Sequence, residues 1–262
     1  MKHISSRDNP VFKRLVRQQE GRRSDEVLLE GVHLCLEWLR HQGPPVLAIF
    51  DVEKLAQHAE LAELASAVPE SSRIMLDAVL ARQLSHVEHG QGVYFLVEVA
   101  APPLPARIGE TCVWLDRVQD PGNVGTLLRT AAAAGIRQVY LSPGCAWAWS
   151  PKVLRSAQGA HFALEIHERA DLRELHGRLD VPLVATALQD SESLYARALP
   201  ERCAWLIGNE GQGVDPDLLR LATRRVFIPQ EPGVESLNAA IAAAICLFEH
   251  RRQYLSGHPG ES

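Results

Sequence analysis

The sequence predicts an α/β protein with a mostly parallel sheet and helices on both faces of that sheet. The main observation is that, after residue 108, short apolar runs alternate regularly with segments of helical period. The composition, 46% hydrophobic and 23% charged, is also that of a globular protein. It excludes disordered, collagen-like and small disulfide-bonded proteins, and 262 residues suffice for a buried core.

A proline-rich segment divides the chain. Three prolines fall within the four positions 102–105, and such segments favour extended backbone over helix or central strand. We therefore predict a small α/β domain over residues 1–100, a linker over 101–107 and a second domain over 108–262.

The first domain mixes helical and strand patterns. Proline at the first turn opens a helix after Asn9, and Gly31 marks a turn between a strand and a helix. The predicted elements are a helix at 11–19, a strand and a helix within 27–39, a strand at 46–50, a helix at 53–66 and a strand at 92–99.

The second domain alternates more regularly. Strands are predicted at 112–115, 138–141, 163–166, 183–187, 204–207 and 225–228, and helices at 124–134, 151–157, 171–179, 215–221 and 237–254. Ligands of parallel sheets bind at the carboxyl ends of the strands, and three unusual clusters of residues fall in those loops.

The first cluster, residues 116–135, follows a strand and opens a helix. Asn123 is the expected N-cap, and Gly135 ends the helix. Arg129 lies four residues after Gly125, so its guanidinium is expected to reach back to the helix N-terminus. That position suits a phosphate or a ribose hydroxyl, although an ordinary capped helix with a surface arginine has the same spacing.

The second cluster, residues 206–214, holds Glu210 among three glycines, which suits a cationic or hydroxyl-bearing ligand better than a phosphate. The usual dinucleotide and triphosphate signatures are absent from it.

The third cluster, residues 226–248, is a Pro/Gly loop with Ser236 as the expected cap of the last helix. Residues 239–248 are apolar on every face, which predicts burial on several sides.

Charge is unevenly distributed along the chain. The formal net charge is −5, yet residues 1–23 carry +5 and residues 48–100 carry −5. The basic segment indicates either a local phosphate-facing patch or a solvated helix face. The five cysteines include no CxxC pair, and neither a signal peptide nor an apolar run of membrane-spanning length is evident. We therefore expect a cytoplasmic protein, with no metal site and no membrane partner.

The three clusters DPGNVGTLLRTA, LIGNEGQG and FIPQEPGVESLNAAIAAAICLFE resemble, in order and spacing, the motifs of the SpoU (TrmH-like) branch of the SPOUT RNA methyltransferases. The resemblance covers residues 108–254, and residues 1–100 resemble more loosely the small RNA substrate-binding domain that often precedes it. It implies a C-terminal trefoil knot, a homodimer, S-adenosylmethionine as cofactor and methylation of a ribose 2′-hydroxyl. The expected partner is structured RNA, ribosomal more than transfer RNA.

The resemblance also implies roles for individual residues. The catalytic residues would be Asn123, Arg129, Glu210, Ser236 and Asn238; the cofactor-binding residues Thr186, Leu206, Gly208, Gly213, Ile228, Pro229, Ser236 and Leu237; and the RNA-binding residues Arg7, Lys13, Arg14 and Arg155. The pair Ala157-Gln158 departs from the family pattern, in which Ser-Met is more usual. Alternatives are a tRNA 2′-O-methyltransferase, a base methyltransferase, a non-catalytic RNA-binding protein on the same fold and a nucleotide-dependent enzyme such as a dehydrogenase.

Overall fold

The computed structural model describes residues 2–233 and 236–258. The chain forms two compact units, one of Met1–Ala100 with Trp149–Phe162, the other of Ala101–Ala148 with Ala163–Ser262. The first unit is therefore discontinuous in sequence. Residues 149–162, which the sequence analysis assigns to the second domain, group with the first unit instead.

The first unit contains a five-stranded mixed sheet in the order β1-β4-β3-β5-β2. Strands β1, β4 and β3 run parallel, and β5 runs antiparallel to both β3 and β2. Its elements before residue 100 are β1 Lys2–Ile4, α1 Pro10–Gln19, β2 Glu26–Glu30, α2 Val32–Gln42, β3 Leu47–Asp51, α3 Val52–Gln57, α4 Ala59–Ser66, β4 Arg73–Leu76, α5 Ala78–Leu84 and β5 Val93–Glu98.

Most local predictions for this unit are confirmed. Helix α1 begins at Pro10, and the Asn9 side chain accepts a hydrogen bond from the Val11 amide. The predicted helix at 53–66 is wrong, because the backbone is extended at His58 (φ −121°, ψ 112°) and separates α3 from α4. Strands β1 and β4 were not predicted, since three or four residues are too few for alternation to show, and the seven-residue helix α5 was not predicted either.

The second unit contains a seven-stranded sheet in the order β10-β12-β9-β11-β6-β7-β8, parallel throughout. Along the chain the remaining elements are β6 Cys112–Leu115, α6 Pro121–Ala133, β7 Gln138–Leu141, α7 Pro151–Ala157, β8 Glu165–His167, α8 Leu172–His176, β9 Leu183–Thr186, β10 Glu192–Ser193, β11 Ala204–Ile207, α9 Pro216–Leu221, β12 Arg224–Phe227 and α10 Ala239–Gly257. Fully buried Trp114, Tyr140 and Leu206 lie in its core.

The segment Trp149–Phe162 is held to the first unit by several contacts. Helix α7 packs against β2, and the Phe162 ring meets Trp38 edge-on with centroids 5.9 Å apart. His33 Nε2 lies 3.2 Å from the Gln158 carbonyl oxygen. Tertiary contacts of this kind leave no periodic signal in a sequence, which is why the grouping was not predicted.

Some element boundaries in the second unit differ from prediction. The strand predicted at 163–166 is a turn of 3₁₀ helix at Ala160–Ala163 followed by β8. The helix predicted at 171–179 is the shorter α8, whose N-terminal amides bond to the Asp171 side chain. The two-residue strand β10 was not predicted.

Both predicted N-caps near the site are wrong. Helix α6 begins three residues earlier than expected, because Asp120 precedes a proline at the first helical position and accepts the Asn123 amide. Helix α10 is capped by Asn238 rather than Ser236, and the Asn238 side chain accepts the amides of Ala240 and Ile241.

In the single chain, helix α10 is buried on one face only, whereas burial on several sides was predicted. Ala240, Ala243 and Leu247 are buried, whereas Ile241 is 51% exposed and Phe248 is 48% exposed. Residues seven apart lie on the same side of a helix, so these two side chains form one exposed apolar stripe.

Candidate active site

The three sequence clusters meet at one edge of the seven-stranded sheet. Strands β6, β11, β9 and β12 are neighbours in the order β12-β9-β11-β6 and run parallel, so their carboxyl ends lie at a common edge. The loops that follow β6, β11 and β12 carry the first, second and third clusters. The three loops therefore meet at one edge of the sheet.

Asn123 joins the three clusters through hydrogen bonds. Its Nδ2 donates to Glu210 Oε1 at 3.0 Å, and its Oδ1 accepts from Asn238 Nδ2 at 3.0 Å. The amides of Gln119 and Asp120 donate to the two oxygens of the same Glu210 carboxylate, at 3.3 and 3.2 Å. One side chain from each cluster therefore forms a continuous chain, Glu210–Asn123–Asn238.

Glu210 is held as a carboxylate. Partial desolvation raises the pKa of Glu210. Hydrogen bonds from Asn123 and from nearby backbone amides together lower this pKa by more than desolvation raises it, so the pKa lies below its usual value. The carboxylate therefore carries a full negative charge at neutral pH.

Asp116 and Arg117 hold the second cluster in place from the end of β6. The buried Asp116 carboxylate accepts the Asp215 amide at 2.8 Å and the Arg117 guanidinium at 3.2 Å. Arg117 also donates to Gln212 Oε1 at 3.2 Å, and its carbonyl accepts Asn209 Nδ2 at 2.8 Å. The loop that bears Glu210 is thus tied to the first cluster along its length. Neither residue was predicted from the sequence to belong to the site.

Gly208 is required by close backbone approach. A Cβ at this position would lie 2.2 Å from the Val214 nitrogen and 2.3 Å from the Gly213 carbonyl carbon. Asn209 and Gly213 exchange backbone hydrogen bonds at 3.0 and 2.9 Å, which closes the loop on itself. Any side chain at position 208 would force this loop open.

A cavity lies beside the network, between the ends of β9, β11 and β12 and the start of α10. Its volume is about 180 Å³, below the range of roughly 300–1,000 Å³ common for ligand pockets, so a larger ligand must project from it or widen it. The lining is mostly apolar and comprises Thr186, Ala187, Leu188, Ile207, Gly208, Asn209, Glu210, Gly213, Val226, Phe227, Ile228, Gln230, Ser236, Leu237, Ala239, Ala242 and Cys246.

Six of the eight residues expected to bind the cofactor line this cavity: Thr186, Gly208, Gly213, Ile228, Ser236 and Leu237. Leu206 is fully buried in the sheet, where its carbonyl accepts the Thr186 hydroxyl at 3.4 Å, and Pro229 is exposed outside the lining. Ten other lining residues were not predicted as site residues, among them Phe227, Gln230 and Cys246. The first two directly flank the predicted Ile228-Pro229 pair, so a wider window around that pair would have included them.

Arg129 is exposed on α6, six residues beyond Asn123, which corresponds to about 9 Å along a helix. It makes no hydrogen bond or ion pair with another residue in the described part of the chain, and it does not line the cavity. Its guanidinium therefore faces solvent rather than the protein interior.

The four residues expected to bind RNA have different environments, all within the first unit. Arg7 and Lys13 are exposed, and Lys13 pairs with Asp8 at 2.9 Å. Arg14 is half-buried and bound to the Glu26 carboxylate through both Nε and Nη2. Arg155 is half-buried on α7. Two of the four, Arg7 and Lys13, are thus exposed on the surface of the first unit, although Lys13 has Asp8 as a partner.

The described residues contain no group of histidine, cysteine, aspartate and glutamate side chains arranged to hold a metal ion. No helix within the described ranges is long and apolar enough to cross a membrane. All five cysteines are buried free thiols, and burial raises the pKa of Cys246, beside the cavity, to about 12.

A family model described as the SpoU rRNA Methylase family matches residues 110–248. The chain is 36% identical to an uncharacterized tRNA/rRNA methyltransferase of Synechocystis sp., and the match covers 98% of this chain and 96% of that protein. It is 32% identical to the Bacillus subtilis 23S rRNA (guanosine(2553)-2′-O)-methyltransferase RlmP, with coverage of 96% and 100%.

Solved structures agree with these matches. The crystal structure of an AdoMet-bound rRNA methyltransferase from Sinorhizobium meliloti superposes with a TM-score of 0.81 at 28% identity, over 96% of this chain and 97% of that chain. The likeness extends over both units, since it leaves only a few residues of either chain unmatched.

Proposed function

Because the chain belongs to the SpoU rRNA methylase family, we propose that it transfers the methyl group of S-adenosylmethionine to a ribose 2′-hydroxyl of ribosomal RNA. The observation that carries this proposal is the hydrogen-bonded chain Glu210–Asn123–Asn238, which links all three family motifs beside one cavity. A protein that only bound RNA would not need this network.

The cavity residues fit S-adenosylmethionine. The apolar side chains of Ile207, Ile228 and Leu237 suit the flat adenine base, and the Glu210 carboxylate suits a cation. When bound, the cofactor supplies a methyl group activated by its positively charged sulfur. Gly208, Gly213 and Ser236 would hold it from the loops, and orientation of this kind contributes roughly 7–11 kcal/mol to a displacement reaction.

Arg129 is assigned to the RNA side of the reaction. An arginine remains protonated at any working pH, so it is a poor candidate for the base that removes the hydroxyl proton. We assign it to stabilising the negative charge that develops on the ribose oxygen and to anchoring a neighbouring phosphate. The guanidinium of Arg129 is exposed and bonds to no other residue in the described part of the chain. Its N–H donors are therefore available to the ribose oxygen and to a phosphate.

Arg129→Ala is expected to reduce methyl transfer at least 100-fold while leaving S-adenosylmethionine affinity within about twofold, because the residue does not line the cavity. Transfer of labelled methyl groups to purified rRNA and tRNA measures the first quantity, and calorimetric titration measures the second. Arg137→Ala, an exposed arginine just before β7 at the opposite edge of the sheet, is the matched control and should remain active.

Near-normal turnover by Arg129→Ala would refute its role. Methylation of tRNA but not rRNA would favour the alternative substrate. Comparison of 2′-O-methyl positions in RNA from cells with and without the protein would then identify the nucleotide.

The protein is also proposed to act as a homodimer. The exposed apolar stripe of Ile241 and Phe248 on α10 supports this, because such side chains are usually covered by a partner surface when they form a patch. The helix begins at the cavity, so a partner seated on the stripe would lie beside the site.

Two further features of the family are proposed for this chain. The loops after β11 and β12, which meet at the cavity, would form the C-terminal trefoil knot, and the first unit would bind RNA through exposed Arg7 and Lys13. The buried free thiols support a location in the reducing cytoplasm, where ribosomal RNA is accessible. A crystal structure with RNA fragments tests both the knot and the RNA-binding face.

A further inference from the structure

Leu188 is an apolar side chain that lines the cavity and is open to solvent. It belongs to the cavity lining, yet the residue is 67% exposed, more than any other large hydrophobic residue in the described part of the chain. A single exposed leucine is common on protein surfaces. One that borders a ligand cavity differs, because a ligand that fills the cavity also removes its apolar surface from water.

Backbone hydrogen bonds fix the position of Leu188. The Ala187 amide donates to the Val226 carbonyl at 3.0 Å, and the Leu194 amide donates to the Phe227 carbonyl at 2.8 Å. The loop from β9 to β10 is therefore attached to β12 at both of its ends. Leu188 directly follows the first attachment, so its backbone position does not depend on its own side chain.

The order of the strands indicates which part of the cofactor lies beside Leu188. In the order β12-β9-β11-β6, Glu210 follows β11 and bonds to Asn123, which follows β6. The transferred methyl group and the positive sulfur belong on that side, near the carboxylate and the start of α6. Leu188 follows β9, on the side of β11 away from β6, where it shares the lining with apolar Ile228. The rest of the cofactor must extend in that direction.

We propose that Leu188 packs against the adenosine part of bound S-adenosylmethionine and shields it from water, which makes Leu188 a specificity-determining residue for the cofactor. The size of the cavity supports this assignment. At about 180 Å³ the cavity is smaller than common ligand pockets, so part of the cofactor projects from it, past an exposed lining residue. This inference rests on the proposed function, in that the cofactor must occupy this cavity.

The test uses Leu188→Ala in the full-length protein. Its ligands are S-adenosylhomocysteine, titrated by calorimetry, and 5′-methylthioadenosine, measured by displacement of the first; both contain adenosine, and only the first has the amino-acid part. We expect Kd to rise about 3- to 10-fold for both ligands, because less apolar surface is buried on binding. Leu104→Ala, at a leucine 45% exposed and outside the cavity lining, is the matched control and should leave both values unchanged.

Two further variants separate apolar contact from the filling of space. Leu188→Met keeps an apolar side chain of similar volume and should bind both ligands within about twofold of the wild type. Leu188→Asn is closer in shape to leucine than alanine is, but it is polar, so it should bind about as weakly as Leu188→Ala.

Thermal unfolding without ligand provides a second readout. Because the side chain is exposed in the free protein, all three variants should have a Tm within about 2 °C of the wild type. If Leu188 instead supported the loop structurally, the Tm would fall together with the affinity.

Each contrary outcome has a distinct meaning. If the wild type fails to bind S-adenosylhomocysteine, the proposed function itself fails. If the wild type binds and Leu188→Ala binds both ligands equally well, only the role of Leu188 is overturned. The assignment to adenosine is overturned if only S-adenosylhomocysteine loses affinity, or if 5′-methylthioadenosine does not displace it from the wild type. Unchanged binding by Leu188→Asn would show that the contact is not apolar.

Discussion

Arg117 adopts a left-handed backbone conformation that a residue with a Cβ seldom occupies, with φ of 53°. Its amide donates to Ser142 Oγ at 2.9 Å, its carbonyl accepts from Asn209, and its guanidinium contacts Asp116 and Gln212. These contacts fix the conformation and connect the end of β6 to the loop that bears Glu210.

Because of this backbone conformation, we expect glycine to be tolerated better than alanine at position 117. Arg117→Ala loses the guanidinium contacts and keeps the unfavourable φ, whereas Arg117→Gly loses the same contacts and tolerates that φ. We expect the glycine variant to be more stable than the alanine variant by about 1 kcal/mol. Urea unfolding measures the difference, and a more stable alanine variant would show that the backbone relaxes when the side chain is removed.

The lowered pKa of Glu210 sets a pH dependence with a definite sign. The folded state binds the proton less tightly than the unfolded chain, so the stabilisation is complete above the usual value of 4.5 and is lost as pH falls through the lower folded-state pKa. Wild type should exceed Glu210→Gln in free energy of unfolding by up to about 1 kcal/mol at pH 7, since the group is exposed.

That difference should be constant from pH 8 to pH 5 and shrink below the usual pKa of about 4.5. Denaturant unfolding of both proteins across this range measures it. A difference that widens toward acid pH would mean that the carboxyl group is protonated in the native site.

At the scale of elements, the side chain of Asn238 makes two different sets of hydrogen bonds at the start of helix α10. Asn238 Oδ1 caps the helix, while its Nδ2 donates to Asn123. Asn238→Ala should lower the free energy of unfolding by about 0.5–2 kcal/mol through loss of the cap. Asn238→Asp keeps the capping oxygen and should stay within about 0.5 kcal/mol of wild type.

Measuring methyl transfer distinguishes the effect of the contact with Asn123 from the effect of the helix cap. Both variants lack the donor to Asn123, so both should lose activity by about tenfold or more despite their different stabilities. If activity follows stability across wild type, alanine and aspartate variants, the contact with Asn123 has no separate role in the site.

Elements that are determined by neighbouring residues in the sequence were predicted well, and features that depend on the folded chain were not. Strands β6, β7 and β11 were predicted at their true bounds, because short apolar runs between turn residues are a local signal. The caps were not, since Asn123 and Ser236 are acceptable cap residues and the choice of Asp120 and Asn238 depends on where each helix can begin.

The site followed the same rule. Asn123, Glu210 and Asn238 could be named in advance because the motifs carry them, but their mutual hydrogen bonds could not. Gln230 was missed although it directly follows the predicted pair Ile228-Pro229, because adjacency along the chain does not show which loop side chains line a cavity.

At the scale of the whole molecule, the apolar stripe on α10 predicts association. Light scattering should give the mass of a dimer for the wild type and of a monomer for the double variant Ile241→Asp/Phe248→Asp, since a carboxylate cannot be buried unpaired at little cost. Val79→Asp, at a valine 54% exposed in the first unit, should remain dimeric. A monomeric wild type at micromolar concentration would contradict the proposed dimer.

The discontinuity of the first unit affects how the protein folds during its own synthesis. The strands of that sheet are complete by Glu98, yet α7, which packs on β2, emerges only after β6, α6 and β7 of the other sheet have been translated. At about 5–20 residues per second, the interval between Ala100 and Phe162 lasts roughly 3–12 s. For that time the nascent chain lacks α7, so the part of β2 that α7 covers stays accessible to ribosome-associated chaperones, although α1 and α2 already contact the same strand.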